Sequence, residues 1–259
     1  EILFPDVTYS FYPVWASRFG IPVRQIPLTS AFTIDPYEYI PSLTKKANSG
    51  IIFPNPNAPT GVEEPLRLIE RIVQGNPDSV VIVDEAYIDF GGISALPLTK
   101  EYDNLLVVQT FSKSRSMAGA RIGFAMGDPR LIRYLKDVKF SFNSYTMNLP
   151  SIMTGKAAVE DKAYFDTTRQ KIIETRERFK KDLASMGFVF PDSKTNFVFA
   201  SHPKVSGNTL FTQLRARGIV VRHWDKPRIS EYLRITIGTD AQMKAVTDAL
   251  ADILRQELQ

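Results

Sequence analysis

Short apolar runs rich in β-branched residues alternate along this sequence with segments of helical periodicity. The run from Ser79 to Tyr87 (SVVIVDEAY) is the clearest, because continuous Val and Ile residues are typical of a strand buried on both faces of a sheet. Gly50–Pro56 and Leu105–Gln109 are similar runs, and Pro65–Gln74 between them has apolar residues at helical spacing. Strands that alternate with helices in this way predict a mostly parallel sheet covered by helices.

The character of the chain changes after Pro150. Long charged helical segments (Ser151–Met186) come first, then short apolar runs predicted to be strands, such as Phe188–Pro191, and then a closing amphipathic helix from Ala241 to Leu258. We therefore predict an α/β fold in two domains. Residues 1–152 are expected to form a large domain whose mostly parallel mixed sheet carries helices on both faces, and residues 153–259 a smaller C-terminal α+β domain.

Composition excludes several kinds of site. The 259 residues include no cysteine, which rules out disulfides and thiolate metal ligands, and the two histidines (His202 and His223) lack partners at metal-ligand spacing. No apolar run is long enough to cross a membrane. The net charge of +4 comes from basic residues that are spread along the chain, which favours small anionic ligands over nucleic acid. We expect a cytoplasmic protein with neither a metal nor a membrane or nucleic-acid partner.

Polar side chains follow three of the predicted strands, at the edge where ligands bind in open α/β sheets. Each has an ordinary structural interpretation. A lysine after a strand is usually solvated, an aspartate there often caps the next turn, and a tyrosine often packs in the core with its hydroxyl at the rim. A functional site is favoured because all of these polar residues are expected at one edge of the sheet. The residues are Asn57, Asp84, Tyr87, Thr110, Ser112 and Lys113.

The segment SKSRSMAGARIGFA (Ser112–Ala125) resembles the cofactor-lysine signature of the fold-type I, pyridoxal-phosphate-dependent aminotransferases. NPNAPTG, DEAY and YLRITIG follow the order that this family has, and the resemblance covers essentially the whole chain. Within the family, VDEAYIDF, GIVVRHW and LRITIGT are most similar to the histidinol-phosphate aminotransferase branch. The resemblance implies transfer of an amino group between L-histidinol phosphate and 2-oxoglutarate, through a Schiff base of pyridoxal 5'-phosphate.

The resemblance also implies roles for residues at the predicted edge. Lys113 matches the lysine that binds the cofactor aldehyde and moves protons. Asp84 matches the carboxylate that keeps the pyridine nitrogen protonated, and Tyr87 the phenol that donates to the ring oxygen. The cofactor phosphate and ring face are expected to be held by four further residues. These are Thr110, Ser112, Arg121 and Tyr9, of which Tyr9 can equally be a core aromatic residue.

Two arginines match substrate-binding positions of the family. Arg234 corresponds to the residue that takes the substrate carboxylate, and Arg222 to one that reaches the substrate phosphate. Both lie in strongly apolar predicted strands, where an unpaired guanidinium is unfavourable. The family resemblance further implies a homodimer, because active sites of this fold form at a subunit interface.

The sequence departs from the family pattern in two places. Ala58 stands where the family has an asparagine that binds the ring oxygen, so Asn57 is the candidate substitute. The family also has an N-terminal segment, with a phosphate-binding glycine turn, that precedes the part matched here, so we expect a piece of a longer protein. Three alternatives stay open at this point: an aromatic amino-acid aminotransferase, a threonine-phosphate decarboxylase of the same fold, and an inactive truncated fragment that serves as a binding module.

Overall fold

The computed structural model describes all residues from Glu1 to Gln259. Nine strands form two sheets, and the helices that join them are of very different lengths. The strands are β1 (Ile2–Pro5), β2 (Val23–Ile26), β3 (Gly50–Pro54), β4 (Val80–Asp84), β5 (Leu105–Thr110), β6 (Gly123–Gly127), β7 (Phe197–Ala200), β8 (Arg222–His223) and β9 (Leu233–Thr236). The α-helices are α1 (Tyr12–Arg18), α2 (Pro41–Thr44), α3 (Leu66–Gln74), α4 (Pro129–Phe142), α5 (Leu149–Glu160), α6 (Lys162–Ser185), α7 (Gly207–Ala216) and α8 (Asp240–Glu257).

The larger sheet has six strands in the order β2-β1-β3-β4-β5-β6. The first five are parallel, with Pro54 opposite Asp84 and Asp84 opposite Val108, whereas β6 runs antiparallel to β5. The predicted α/β fold with a mostly parallel mixed sheet is therefore confirmed. Because β1, β3, β4 and β5 are parallel, their carboxyl ends lie at one edge of the sheet.

The smaller sheet has three antiparallel strands in the order β7-β9-β8. One strand predicted from the sequence is wrong here: the Phe188–Pro191 run contributes only an isolated bridge between Val189 and Ser201. Four residues that end in a proline cannot extend a ladder far, because proline lacks the amide hydrogen. Arg222 lies opposite Arg234 in the β8–β9 pair, so the two predicted substrate arginines share a register.

Each sheet has its own hydrophobic core. A cluster of 19 buried residues lies around the large sheet and a cluster of 17 lies between the small sheet and helices α6, α7 and α8. The first cluster also contains Phe199 and Ile229, which the C-terminal part contributes. The predicted division at 152/153 falls within α5 and stays a prediction.

Helix capping explains where the long helices begin. Thr239 and Gln242 form a reciprocal capping box at the start of α8, and Asn148 accepts the amide of Ser151 at the start of α5. None of the helices has a long enough apolar stretch to cross a membrane.

Candidate active site

The polar residues that the sequence analysis selected lie at the carboxyl edge of the large sheet. Asp84 is the last residue of β4, and Lys113 lies three residues beyond the end of β5. Asn57 follows β3, and Tyr9 follows β1. The parallel order of these strands places the four residues at one edge, as expected for a ligand site of an open α/β sheet.

Asp84 is held by two donors inside the protein. Its Oδ2 accepts the hydroxyl of Tyr12 at 2.9 Å, and its Oδ1 accepts the amide of Ala86 at 3.1 Å. Burial raises the pKa of Asp84, against the opposing effects of these hydrogen bonds and of the Lys113 charge. A cationic partner at this carboxylate would therefore be stabilising, because it favours the ionised form that burial disfavours.

The amine of Lys113 lies beside the aromatic ring of Tyr87. The distance from Nζ to the ring centroid is 5.4 Å, which is within cation–π range. Tyr87 is only 9% exposed and packs edge-on against Phe197, with the ring centroids 5.2 Å apart. Packing thus fixes the Tyr87 ring, and this ring in turn limits where the lysine amine can lie.

The residues predicted to bind the cofactor phosphate form a partly connected group. The hydroxyl of Thr110 lies 2.9 Å from that of Ser112 and 3.1 Å from the carbonyl of Ile122. Arg121 directly precedes Ile122 in the chain, is exposed, and donates to the carbonyl of Ala118 at 2.9 Å. Its φ of 56° is left-handed, which turns the chain back into β6. Two hydroxyls and a guanidinium thus come from one turn between β5 and β6.

The side chain of Asn57 is hydrogen-bonded within the protein. Its side-chain amide donates both hydrogens within the protein, to the carbonyl of Val7 at 3.0 Å and to the hydroxyl of Thr60 at 2.9 Å. Its oxygen accepts the hydroxyl of Thr8 at 3.3 Å. With both amide hydrogens donated, Asn57 has no donor left for a ring oxygen. Its contact with a cofactor stays a prediction that this geometry does not favour, and Ala58 packs beside Tyr87 instead.

Tyr9 lies in an exposed aromatic group at the mouth of a large cavity. The side chain is 42% exposed and contacts the rings of Phe11, Tyr12 and Trp15 at centroid distances of 6.2, 5.5 and 6.0 Å. The cavity has a volume of about 590 Å³, and Arg222 and Arg234 also line it. The lining of this cavity therefore includes both aromatic and cationic side chains.

The two arginines share an aromatic neighbour. The guanidinium carbons of Arg222 and Arg234 lie 5.2 and 5.5 Å from the centroid of the Trp224 ring, and that of Arg234 lies 5.0 Å from Phe197. Burial lowers the pKa of Arg234, and the charge of Arg222 acts in the same direction. The Nε of Arg234 is buried without a hydrogen-bond partner. An anion between the two arginines would accept a hydrogen bond from Nε of Arg234. It would also reduce the repulsion between the two positively charged guanidinium groups.

Sequence reasoning missed Tyr12 and Trp224, which contact predicted site residues directly. No spacing rule connects Tyr12 with Asp84, 72 positions later. The serine after the lysine was also missed: the hydroxyl of Ser114 donates to Asp89, which anchors the Lys113 turn to the segment after β4. Asp89 belongs to the DEAYIDF motif, so that motif was the available signal.

Known proteins resemble this chain in both sequence and fold. Residues 1–250 match the family described as aminotransferase class I and II. The chain belongs to the class I and II aminotransferases. Among curated proteins it is similar to a histidinol-phosphate aminotransferase of Aromatoleum aromaticum, with 55% identity over 252 residues that make up 97% of this chain and 70% of the relative. A histidinol-phosphate aminotransferase of Lactococcus lactis subsp. cremoris is 50% identical over 99% of this chain and 70% of its own length.

Solved structures show the same fold as this aminotransferase chain. The histidinol-phosphate aminotransferase of Clostridium acetobutylicum matches 98% of this chain and 78% of its own, with a TM-score of 0.90 at 24% identity. That of Sinorhizobium meliloti, in complex with pyridoxal-5'-phosphate, matches 98% of this chain and 70% of its own, with a TM-score of 0.88 at 22% identity. Pyridoxal phosphate is the cofactor of this family.

The residues of this aminotransferase chain fit that cofactor. A buried carboxylate whose pKa is raised (Asp84) suits a protonated ring nitrogen, and a lysine amine lies beside a fixed phenol (Tyr87). The hydroxyls of Thr110 and Ser112 and the nearby Arg121 are donors for a phosphate. The fit extends to the substrate side, where the unpartnered Nε of Arg234 suits an anionic group.

Proposed function

We propose that the protein is a histidinol-phosphate aminotransferase that moves the amino group between L-histidinol phosphate and 2-oxoglutarate, as a step of histidine biosynthesis. The observation that carries this proposal is the 55% identity with a histidinol-phosphate aminotransferase over 97% of the chain. The pair of arginines that faces the same cavity as Tyr9 supports it, because both substrates are anions.

The chain's own residues supply binding and proton transfer. When bound, pyridoxal phosphate supplies an electron sink that makes the substrate Cα–H acidic. The Nζ of Lys113 would accept that proton as general base and donate a proton back as general acid. The carboxylate of Asp84 would keep the ring nitrogen protonated, and the hydroxyl of Tyr87 would donate to the ring oxygen. The turn with Thr110, Ser112 and Arg121 holds the phosphate.

The two arginines that line the cavity, Arg222 and Arg234, select the substrates. Arg234 takes the carboxylate of glutamate or 2-oxoglutarate, and Arg222 takes the phosphate of histidinol phosphate. Because Trp224 contacts both guanidinium groups, it keeps two like charges oriented toward one cavity. A single pocket can then accept two anionic substrates in turn.

Turnover with matched substrates tests the proposed function. We expect the purified protein with pyridoxal phosphate to transaminate histidinol phosphate far faster than phenylalanine, and to release no carbon dioxide from threonine phosphate. Lys113→Ala should abolish turnover, whereas Lys171→Ala, at an exposed position of α6, should leave it within twofold. Faster turnover of phenylalanine, or decarboxylation of threonine phosphate, would assign the chain to a different member of the family.

The covalent role of Lys113 has its own test. Borohydride reduction of the protein with bound cofactor, followed by peptide mass spectrometry, should place the label on Lys113 alone. A label on another lysine, or none, would contradict the assignment of every cofactor contact that is based on position 113.

Assembly as a homodimer and a cytoplasmic location are further parts of the proposal. The dimer is supported by helix α4, which has no buried residue. Its apolar side chains Tyr134, Val138 and Phe142 are 67, 68 and 92% exposed. Large exposed apolar side chains on one helix are typical of an interaction surface. Sedimentation equilibrium should give twice the chain mass. A monomer at micromolar concentration would contradict the dimer without affecting the assigned reaction.

A further inference from the structure

Arg228 ties the C-terminal part of the chain to the large sheet. It lies in the connection between β8 and β9, and its Nη1 pairs with Oδ2 of Asp6 at 2.5 Å. Its Nη2 donates to the carbonyls of Leu28 and Thr29 at 2.8 and 2.9 Å. Asp6 follows β1 directly, and Leu28 and Thr29 follow β2. One guanidinium therefore binds two neighbouring strand ends of the large sheet.

Both carboxylate oxygens of Asp6 have partners within the protein. While Oδ2 pairs with Arg228, Oδ1 accepts the amides of Val7 and Leu28 at 2.8 and 2.9 Å. The side chains of Asp6 and Arg228 are 23 and 35% exposed, so the pair is partly screened from water. Charge-assisted hydrogen bonds in a shielded place are stronger and more directional than exposed ion pairs.

The backbone of Arg228 adopts a conformation that a side chain rarely prefers. Its φ is 70°, in the left-handed region that is unfavourable for residues other than glycine. The following residue, Ile229, is 6% exposed and packs in the core around the large sheet. The hydrogen bonds of the Arg228 guanidinium and the packing of Ile229 together fix the connection between β8 and β9. They hold Arg228 at a positive φ that its backbone would otherwise disfavour.

The pair lies in the wall of the substrate cavity. Asp6 and Arg228 line the same cavity of about 590 Å³ as Tyr9, Arg222 and Arg234. Asp6 is three residues from Tyr9, on the side where the cofactor is expected. Arg228 is on the connection that joins the strands of Arg222 and Arg234. The pair thus joins the cofactor side of the cleft to its anion-binding side.

We propose that Asp6 and Arg228 are positioning residues that fix the width of the substrate cleft and thereby select amino-phosphates by the distance between amine and phosphate. This inference rests on the proposed function of the site. In histidinol phosphate two carbons separate the amine from the phosphate oxygen. A fixed distance between the bound cofactor and Arg222 favours substrates with this two-carbon spacing over longer ones. Without the Asp6–Arg228 pair, the connection that joins the strands of Arg222 and Arg234 can shift.

Two competing ligands that differ by one methylene measure this selection. Phosphoethanolamine has the two-carbon spacing, and 3-aminopropyl phosphate has one carbon more. We expect the wild-type holoenzyme to bind the shorter ligand at least tenfold more tightly, measured as inhibition constants against histidinol phosphate. Arg228→Gln should reduce this preference to less than threefold and raise the KM for histidinol phosphate about tenfold, with kcat within threefold because Lys113 and Asp84 keep their own contacts.

Matched variants separate positioning from loss of charge or of folding. Lys226→Gln removes a cation from the same connection and the same cavity wall, and Lys226 makes no side-chain hydrogen bond or ion pair, so the preference should stay at the wild-type value. Arg228→Lys should give an intermediate preference. Asp6→Asn keeps the acceptor for the Val7 and Leu28 amides, and combined with Arg228→Gln it should add no further loss. Thermal unfolding of each variant checks that it folds.

A distance measurement decides the inference independently of turnover. The chain has no cysteine, so spin labels can be attached to cysteines introduced at the exposed Lys46 and Lys181. Arg228→Gln should broaden or shift the distance distribution between them, and Lys226→Gln should not. An unchanged ligand preference together with an unchanged distribution in Arg228→Gln overturns the proposal. If the wild type does not turn over histidinol phosphate but the distribution still broadens, the proposed function fails while the pair's role in fixing the cleft stands.

Discussion

The hydroxyl of Tyr12 donates a 2.9 Å hydrogen bond to Oδ2 of Asp84, the carboxylate expected to face the cofactor nitrogen. Burial raises the pKa of Asp84, and this hydrogen bond opposes that effect by stabilising the ionised form. Tyr12 is itself 1% exposed and lies against Phe4, so the position of its hydroxyl is set by core packing. A core aromatic residue therefore favours the ionised form of the carboxylate that is expected to face the cofactor.

Tyr12→Phe should weaken cofactor binding. Without the hydroxyl the pKa of Asp84 rises further, and the neutral carboxyl no longer pairs with a protonated ring nitrogen. A hydrogen bond to a charged group contributes about 1.5–3 kcal/mol, so we expect the dissociation constant of pyridoxal phosphate to increase at least tenfold. Equilibrium dialysis at neutral pH measures it, and the effect should grow as the pH falls.

Tyr9→Phe is the matched control, because the Tyr9 hydroxyl makes no hydrogen bond and phenylalanine keeps the ring. The dissociation constant of this variant should stay within twofold of the wild type. Equal affinity of the Tyr12→Phe and wild-type proteins would show that Asp84 stays ionised without the hydroxyl.

The sequence predicted the sheet and the edge that carries the site, because both follow from local patterns. Buried parallel strands are continuous apolar runs, and strand ends carry the polar residues that Asp84 and Lys113 exemplify. The contacts of Tyr12 with Asp84, and of Arg228 with Asp6, join residues 72 and 222 positions apart. Such contacts depend on how separate elements pack, and no local pattern records that.

Local patterns leave the role of Asn57 open. An asparagine in a turn before a proline is equally suited to binding a ligand and to closing the turn. The structure uses its amide to connect the turn to Val7 and Thr60. Asn57 closes the turn when a backbone carbonyl near the end of β1 lies within hydrogen-bond distance of its amide. The sequence around Asn57 does not show this, because the contact is a tertiary one.

Glu64 should make the protein less stable as the pH rises. Burial raises the pKa of Glu64 from 4.5 to about 7, although its Oε1 accepts the amide of Ile34 at 2.5 Å. A carboxyl whose pKa is higher in the folded state binds its proton more tightly there. The resulting stabilisation is complete below pH 4.5 and is lost as the pH rises through about 7.

Glu64→Gln keeps the oxygen that accepts the Ile34 amide and removes the titration. The variant should be more stable than the wild type at pH 8, by up to about 3 kcal/mol from the size of the pKa shift, and the difference should vanish near pH 4.5. Urea unfolding at both pH values measures this. A difference that does not depend on pH would assign the effect to packing.

Gly61 is required by the turn that follows Asn57. Its φ is +80°, and a Cβ at this position would lie 2.6 Å from Oγ of Ser193. Gly61→Ala should therefore lower the free energy of unfolding by roughly 2–4 kcal/mol, from backbone strain and overpacking together. Gly119→Ala is the control, because nothing lies within 4 Å of its Cβ position and its φ is not left-handed. Chemical denaturation of both variants should separate them, and equal losses would contradict this account.

Trp224 should report anion binding through its fluorescence. The chain has two tryptophans, so Trp15→Phe leaves Trp224 as the single source of tryptophan emission. The guanidinium groups of Arg222 and Arg234 lie 5.2 and 5.5 Å from its ring centroid, and a bound anion changes the field that they exert on the ring. Titration of the Trp15→Phe protein with inorganic phosphate should therefore give a saturable change in emission.

Two further substitutions in the Trp15→Phe background locate the anion. Arg222→Gln should raise the dissociation constant for phosphate at least tenfold, because it removes the guanidinium expected to bind the phosphate. Arg115→Gln should leave the titration unchanged, because Arg115 lies over Phe165 at 4.0 Å and lines a different cavity. If Arg115→Gln weakened the signal and Arg222→Gln did not, phosphate would bind at that second cavity, and the pairing of Arg222 with the substrate phosphate would be wrong.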